Sequence, residues 1–245
     1  MITITVVHGW RILRQWLRGP RFWLTAIAFP LLYAGVVNLL FGALVRQFTG
    51  DFDPADATIL VAVSWAFMLC IMGSGDTLSE RDSGIYERFA TMPTPYAAAL
   101  AGRVIVEFVR LIIMMFTLTV VTELVSGSRL LAENAATVIP VWIIVAASAA
   151  CLGTLVGFSI RTPQGAVAVI PLIVVAMFVN TAMQPAENYR PALRWLAELT
   201  PVSAAKRAIT ESTLAGWLPL LVWSGFLVIV TVVGLQKQKG KVGSH

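Results

Sequence analysis

The chain has 245 residues, 58% of them hydrophobic and only 13% charged, with a mean hydropathy of +0.80. A soluble domain carries about 25% charged residues, so this composition excludes a water-soluble globular fold and makes lipid the natural solvent of the surface. The net charge of +5 would suggest nucleic acid in a soluble protein, but here the basic residues flank apolar runs, as they do beside membrane spans, and no nucleic-acid role is read from it.

A hydrocarbon core of about 30 Å takes roughly 20 apolar residues as a helix. Backbone groups in lipid must be satisfied within their own segment, so each such run is expected to be helical; the alternation of a barrel strand is not seen. In chain order, residues 1–20 predict an amphipathic helix on the membrane surface. Trp10, Leu13 and Leu17 fall on one face and Arg11, Arg14 and Arg18 on another. Gly19-Pro20 ends it, and no small-residue cleavage site follows, so a signal peptide is not expected. The spans are expected at 22–44, 58–75, 104–125, 136–160, 162–183 and 217–235. Pro30 in the first and Pro171 in the fifth each remove a helix hydrogen bond and predict kinks. In the fourth, Ala149, Gly153 and Gly157 repeat every four residues, a small-residue stripe for close helix packing.

The linking segments are short and polar. Loop 76–102 is the most charged part of the chain, with a short helix expected at 80–92. Residues 187–216 are expected to form semi-polar loop or re-entrant helices, and 236–241 is a basic stop. Arg11, Arg14, Arg18, Arg21, Arg81, Arg88, Arg103, Arg161, Lys237, Lys239 and Lys241 fall on one side. Arg46, Arg129, Arg190, Arg194, Lys206 and Arg207 fall on the other, diluted by acids. The richer side is cytoplasmic by the positive-inside rule, which places both termini there. The fold expected is a single all-α integral membrane domain of six transmembrane helices.

Several chemistries lack their residues. A P-loop needs GxxxxGK[ST]; the nearest string, Gly234 to Gly240-Lys241, has the wrong spacing and no hydroxyl after the lysine. Cys70 and Cys151 are isolated in apolar runs and read as free thiols. His8 and His245 make neither a metal site nor a catalytic triad, and no catalytic residue or metal is expected. Gly73-Ser74-Gly75-Asp76 matches the GxGD of intramembrane aspartyl proteases, but that chemistry needs two carboxyls sharing a proton. The other candidate, Glu107, is flanked by Arg103 and Arg110. These three lie at i, i+4 and i+7 of one helix and can pair along one face. They form either a salt-bridged start of the third span or a polar wall of a cavity, and in both readings Glu107 faces away from lipid.

The most informative string is Ser79-Glu80-Arg81-Asp82-Ser83-Gly84-Ile85-Tyr86-Glu87-Arg88-Phe89-Ala90-Thr91-Met92-Pro93. Ile85, Phe89 and Met92 share a helical face, Glu80, Arg81, Glu87 and Arg88 lie elsewhere, and Pro93 and Pro95 stop the helix. It suits docking to a partner or lying on the membrane surface. The string resembles the cytoplasmic loop of the ABC-2 family of export permeases, which carries Arg-acid-x-Gly, then Glu and Thr-x-Pro; the matching residues are Arg81, Asp82, Gly84, Glu87, Thr91 and Pro93. Leu199-Thr200-Pro201-Val202-Ser203, followed by Ala205, Arg207 and Ala208, resembles the family's segment before its last span. Asp82 departs from the Glu that often follows the arginine.

The resemblance implies a permease of the cytoplasmic membrane working with a second copy or a related permease and with two separate ATPase subunits, which would hold ATP and Mg. It implies that Glu80, Arg81, Asp82, Gly84, Ile85, Glu87, Arg88 and Phe89 couple the ATPase to the spans. The nearest likeness is to daunorubicin-resistance permeases, implying a hydrophobic or amphipathic cargo such as a drug, antibiotic or lipid. Trp23, Phe29, Tyr33, Phe41, Trp65 and Phe67 are the aromatics that could line its path. A polysaccharide or glycolipid exporter, which the lack of extra charged loop helices disfavours, and a non-transporting scaffold are the alternatives.

Overall fold

Among the residues that the computed structural model describes, 2–42, 53–84 and 96–242, every regular element is helical. Four helical stretches among the described residues are long and apolar enough to cross a bilayer: Pro54–Asp82, Leu100–Ser126, Leu130–Ser159 and Leu214–Gln236. They make the chain a multi-pass membrane protein. Two shorter apolar helices, Leu24–Leu39 and Gln164–Phe178, occupy the first and fifth of the expected positions.

Helix α1 (Ile2–Arg18) precedes an apolar segment made of α2 (Pro20–Trp23), a wide turn at Leu24–Ala28, α3 (Phe29–Val36) and a second wide turn at Val37–Phe41. The wide turns have i→i+5 bonding, and the first sits just ahead of Pro30. Proline cannot donate a backbone hydrogen bond. The carbonyl of Thr25, five residues before it, accepts the indole N–H of Trp65 at 3.1 Å. The proline expected to kink this segment is thus absorbed by a wider helical turn that gives the next helix a handle.

The second span is longer than the expected 58–75. Helix α4 runs Pro54–Asp82, N-capped by Asp53, whose carboxylate accepts from the Ala55 N–H at 2.8 Å. It ends where Gly84 takes φ 71°, the left-handed position that favours glycine after a helix. Glu80, Arg81 and Asp82, expected on a separate loop helix at 80–92, therefore form the last turn of α4. Residues 85–95, which carry Ile85, Glu87, Arg88 and Phe89, lie outside the described residues. Helix α5 is Tyr96–Ser126, and α6 is Leu130–Ser159, broken at Asn134 (φ −124°, ψ 23°), so its regular part begins close to the expected 136.

The expected single fifth span, 162–183, is two helices: α7 (Pro163–Val167) and α8 (Ile170–Phe178). Pro171 has no N–H to offer the carbonyl of Val167, and α7 stops at that residue. The carboxamide of Asn180 ends the segment: its oxygen accepts from the Ala182 and Met183 N–H groups and its nitrogen donates to the Met177 carbonyl. After a short turn of helix at Ala186–Asn188 come α9 (Pro191–Leu199), α10 (Pro201–Glu211) and α11 (Leu214–Val242). Helix α11 carries the last span beyond the expected 217–235 and includes the basic tail 236–241.

Helix α4 is the centre of the bundle: 83% of its most apolar stretch is buried, against 17% for α11, which leaves most of its surface to lipid. The stripe on α6 meets α4. A Cβ at Gly153 would stand 2.6 Å from the Cys70 carbonyl oxygen, and one at Gly157 would stand 2.8 Å from that of Ser74. Ala149 is fully buried beside them. Small residues here let two backbones approach without side chains between them.

Helix α1 packs on α5 by a face other than that of Trp10, Leu13 and Leu17. Gly9, Ile12 and Trp16 turn inward, while Trp10 and Leu17 are exposed. The reason is room: a Cβ at Gly9 would meet Val106 at 3.1 Å, so glycine lets α1 lie against α5. Trp10 and Leu17 are left to the surrounding medium.

Candidate functional site

A cavity of about 820 Å³ opens between α1, the first apolar segment, α4 and α5; its walls include Arg11, Trp16, Asp76, Glu80, Arg103 and Arg110. Its floor is an ion-pair network that two helices build. On α5, Arg103, Glu107 and Arg110 share one face, as their spacing requires. Glu107 Oε1 lies 3.0 Å from Arg103 Nη2, and Oε2 lies 2.6 Å from Arg110 Nη2. On α4, Glu80 Oε2 lies 3.5 Å from Arg103 Nη1. Two guanidiniums thus face two carboxylates and the group is neutral. All three α5 residues are buried.

The arginines also hold α4 by its backbone. Arg103 donates to the Gly73 carbonyl at 3.0 Å and Arg110 to the Leu69 carbonyl at 2.9 Å. Trp16 of α1 closes the group from the other side, its ring 5.1 Å from the Arg103 guanidinium carbon and 4.6 Å from that of Arg110, within cation–π range. One cluster therefore joins α1, α4 and α5. Trp16 is the member that sequence reasoning missed; its signal was the i, i+3, i+7 spacing of Gly9, Ile12 and Trp16 along one face of α1.

Within Gly73-Ser74-Gly75-Asp76, the geometry gives Gly73 a packing role. A Cβ on Gly73 would sit 2.7 Å from Glu107 Oε1 and would also strike Arg110, while one on Gly75 would meet nothing within 4 Å. Asp76 is exposed, and Glu107 is committed to two arginines rather than to a proton shared with another carboxyl. Gly73→Ala is expected to lower the thermal midpoint of the purified protein by the equivalent of about 1–3 kcal/mol. Gly75→Ala is expected to leave it unchanged or slightly raised, by up to about 1 kcal/mol. Equal midpoints for the two variants would remove the steric role of Gly73.

The start of the loop motif is a clasp. Arg81 Nη1 donates to the carbonyls of Phe158 and Ile160, at 3.0 and 2.9 Å. These lie at the end of α6, where helix carbonyls lack partners of their own. Arg81 also contacts Asp82 at 3.3 Å. Glu80 meanwhile reaches the charge cluster, so consecutive residues of the motif grip α5 and α6. At the opposite end of the bundle, Thr200 caps α10, its hydroxyl 2.9 Å from that of Ser203, and Ser203 accepts from the Thr181 N–H at 2.8 Å. Lys206 spans to Asp56 at 2.7 Å and to the Thr181 carbonyl at 3.1 Å. The Thr200-Pro201-Val202-Ser203 string is thus a helix start that ties the short helices to α4.

Of the aromatics suggested for a cargo path, Phe29 and Tyr33 lie on α3, and Trp65 and Phe67 lie on α4. Tyr33 stacks on Trp65, ring centres 5.9 Å apart. Phe29 is exposed on the first segment. Phe67 lines a second, apolar pocket, bounded by α4, α8, α9 and α11.

The ABC-2 type transporter family model matches residues 5–214, most of the chain. The probable doxorubicin resistance ABC transporter permease protein DrrC of Mycobacterium tuberculosis is 24% identical over 248 residues, covering 98% of this chain and 90% of the relative. It matches equally from strains CDC 1551 / Oshkosh and ATCC 25618 / H37Rv. The chain belongs to the ABC-2 type transporter family, as a transmembrane permease subunit of an ABC exporter.

Proposed function

We propose that this permease moves a hydrophobic or amphipathic molecule, a drug, antibiotic or lipid, out across the cytoplasmic membrane. The observation that carries the reading is the end-to-end correspondence with a relative named for doxorubicin resistance. ATP and Mg bind to separate ATPase subunits, two of which work with two permeases. The first and fifth apolar segments complete six spans, and both termini are cytoplasmic, in line with the lysine and arginine asymmetry. ATP binding drives the ATPases together. The motif at 80–92 passes that movement to α5 and α1 through Glu80 and the Arg103–Glu107–Arg110 cluster, and to α6 through Arg81. The energy comes from the different affinities of the ATPases for the two states.

The test is reconstitution with the cognate ATPase in proteoliposomes. ATP is expected to drive doxorubicin transport in the export sense, and the permease alone is expected to do neither transport nor hydrolysis. Stoichiometric ATP binding by the isolated permease, or transport that is indifferent to the ATPase, overturns the division of labour. For orientation, a cysteine placed at 129 or 190 in a background lacking Cys70 and Cys151 is expected to react with an impermeant maleimide in intact cells. Cysteines at 88 and 239 are expected to react only after lysis; labelling of 88 in intact cells reverses the assignment.

A further inference from the structure

The apolar pocket that Phe67 lines has a volume of about 230 Å³ and lies near the end of the bundle that carries α9 and α10. It lies beside the break in the fifth apolar segment, with Val169 among its lining residues. Helix α8 is only nine residues long, and it leaves a gap between α4 and α11 that the ends of α9 and α10 roof over. Ile173 and Ala176 of α8, Leu196 of α9, Trp223 and Leu227 of α11 and Phe67 of α4 form the walls. Leu172 and Val175 at its edge are exposed, so in a bilayer the pocket is entered from lipid.

One group in it does not match an apolar filling. Ser64 of α4 lines the pocket, is 3% exposed, and its hydroxyl has no hydrogen-bond partner. This is not the habit of hydroxyls in these spans. Thr119, Thr122, Ser148, Thr154 and Thr231 each donate to the carbonyl four residues earlier. The other polar groups around the pocket are engaged: the Trp223 indole N–H donates to the Leu199 carbonyl, and the Thr200 hydroxyl donates to Ala197. A buried hydroxyl without a partner is costly. A water would need two to four polar partners, and the walls offer it little beyond Ser64. A saturated acyl chain would leave the hydroxyl unpaired.

We infer that this pocket is a ligand site for a flat apolar molecule of about two fused rings carrying one hydroxyl or carbonyl, which pairs with Ser64. The size follows from the volume, since a dry cavity of about 150 Å³ holds a benzene ring. Phe67 and Trp223 supply aromatic walls for rings. The site lies within one copy of the chain and needs no second permease. The inference rests on the proposed export of apolar cargo only for the ligand's role as cargo; binding itself requires no ATP.

The full chain in phosphatidylcholine nanodiscs tests it with a matched pair of probes, 6-bromo-2-naphthol and 2-bromonaphthalene, whose bromine quenches a contacting indole. The Trp223 share of the emission is the difference between the parent and Trp223→Phe. That share is expected to be quenched saturably by both probes, with the naphthol about fivefold tighter, the worth of one net hydrogen bond. Ser64→Ala is expected to make the two probes equal, and Ala176→Phe, which fills the space, to abolish saturation. Quenching that rises linearly as in simple partition to lipid, or a naphthol preference that survives Ser64→Ala, overturns the site. Efflux of the naphthol from proteoliposomes with the ATPase is read separately. Ser64-dependent binding without ATP-driven efflux counts against the export of this cargo and leaves the site standing. Efflux unaffected by Ser64→Ala and Ala176→Phe, with no saturable binding, removes the site and leaves the exporter.

Discussion

Glu107→Leu is expected to destabilise the protein by about 3–5 kcal/mol, because it strands two buried guanidiniums that the carboxylate now holds. The loss should appear as a sharply lowered melting temperature in detergent or nanodiscs and as reduced yield from the membrane. The expected rescue distinguishes charge from shape. In Glu107→Leu combined with Arg110→Leu, one positive and one negative group remain, Arg103 and Glu80, which are already 3.5 Å apart. Most of the stability should return, because removing both members of a buried pair costs far less than removing one. Glu107→Gln keeps the shape and is expected to behave like Glu107→Leu. A Glu107→Leu protein that melts with the parent would show that the cluster contributes no net stability.

The sequence makes part of this site legible and hides the rest for identifiable reasons. The spacing of Arg103, Glu107 and Arg110 suffices to place them on one face, since charges on a lipid-bound helix must pair or turn inward. The stripe of Ala149, Gly153 and Gly157 is readable for the same kind of reason: small residues in register have one common use in a span. Hydropathy, by contrast, does not register hydrogen bonds. The run at 162–183 is largely apolar, and the break between α7 and α8 falls where Pro171 has no N–H for the Val167 carbonyl. The carbonyl partners of Arg81 are hidden too, since they lie 77 and 79 residues away in sequence. Trp16 is hidden because the pattern of α1 offers two faces, and the choice between them is made by α5: it brings buried arginines for an aromatic ring to cover and needs a glycine at position 9. Ser64 gives no signal at all, since a serine in a span normally bonds its own helix.

Glu87→Arg is expected to lower ATP-driven export by about tenfold or more while membrane insertion and yield stay near those of the parent. The residue lies in the loop motif, outside the apolar runs, so the change brings no charge into lipid. A carboxylate that meets a basic groove on the ATPase contributes about 1–3 kcal/mol when partly buried, and reversing its sign adds repulsion to that loss. The preceding residues give the loop a firm base: Arg81 is fastened to the end of α6, Glu80 reaches the cluster on α5, and Gly84 ends the helix. A push delivered just beyond that base would reach three helices, which is why a single reversed charge there should matter so much. Glu133→Arg is the control. It breaks only the exposed 3.5 Å pair with Arg129, worth about 0.3–0.5 kcal/mol for helix neighbours of this spacing, and export should be nearly unchanged. Two readouts separate the causes. Copurification of the ATPase reports docking, and cargo-stimulated ATP hydrolysis reports coupling. Loss of the first together with export assigns Glu87 to the interface; retention of the first with loss of the second assigns it to transmission. Intact assembly, hydrolysis and export in Glu87→Arg would place the coupling contact elsewhere in the chain, with α1 as the next element to reverse, beginning at Arg11 and Arg14.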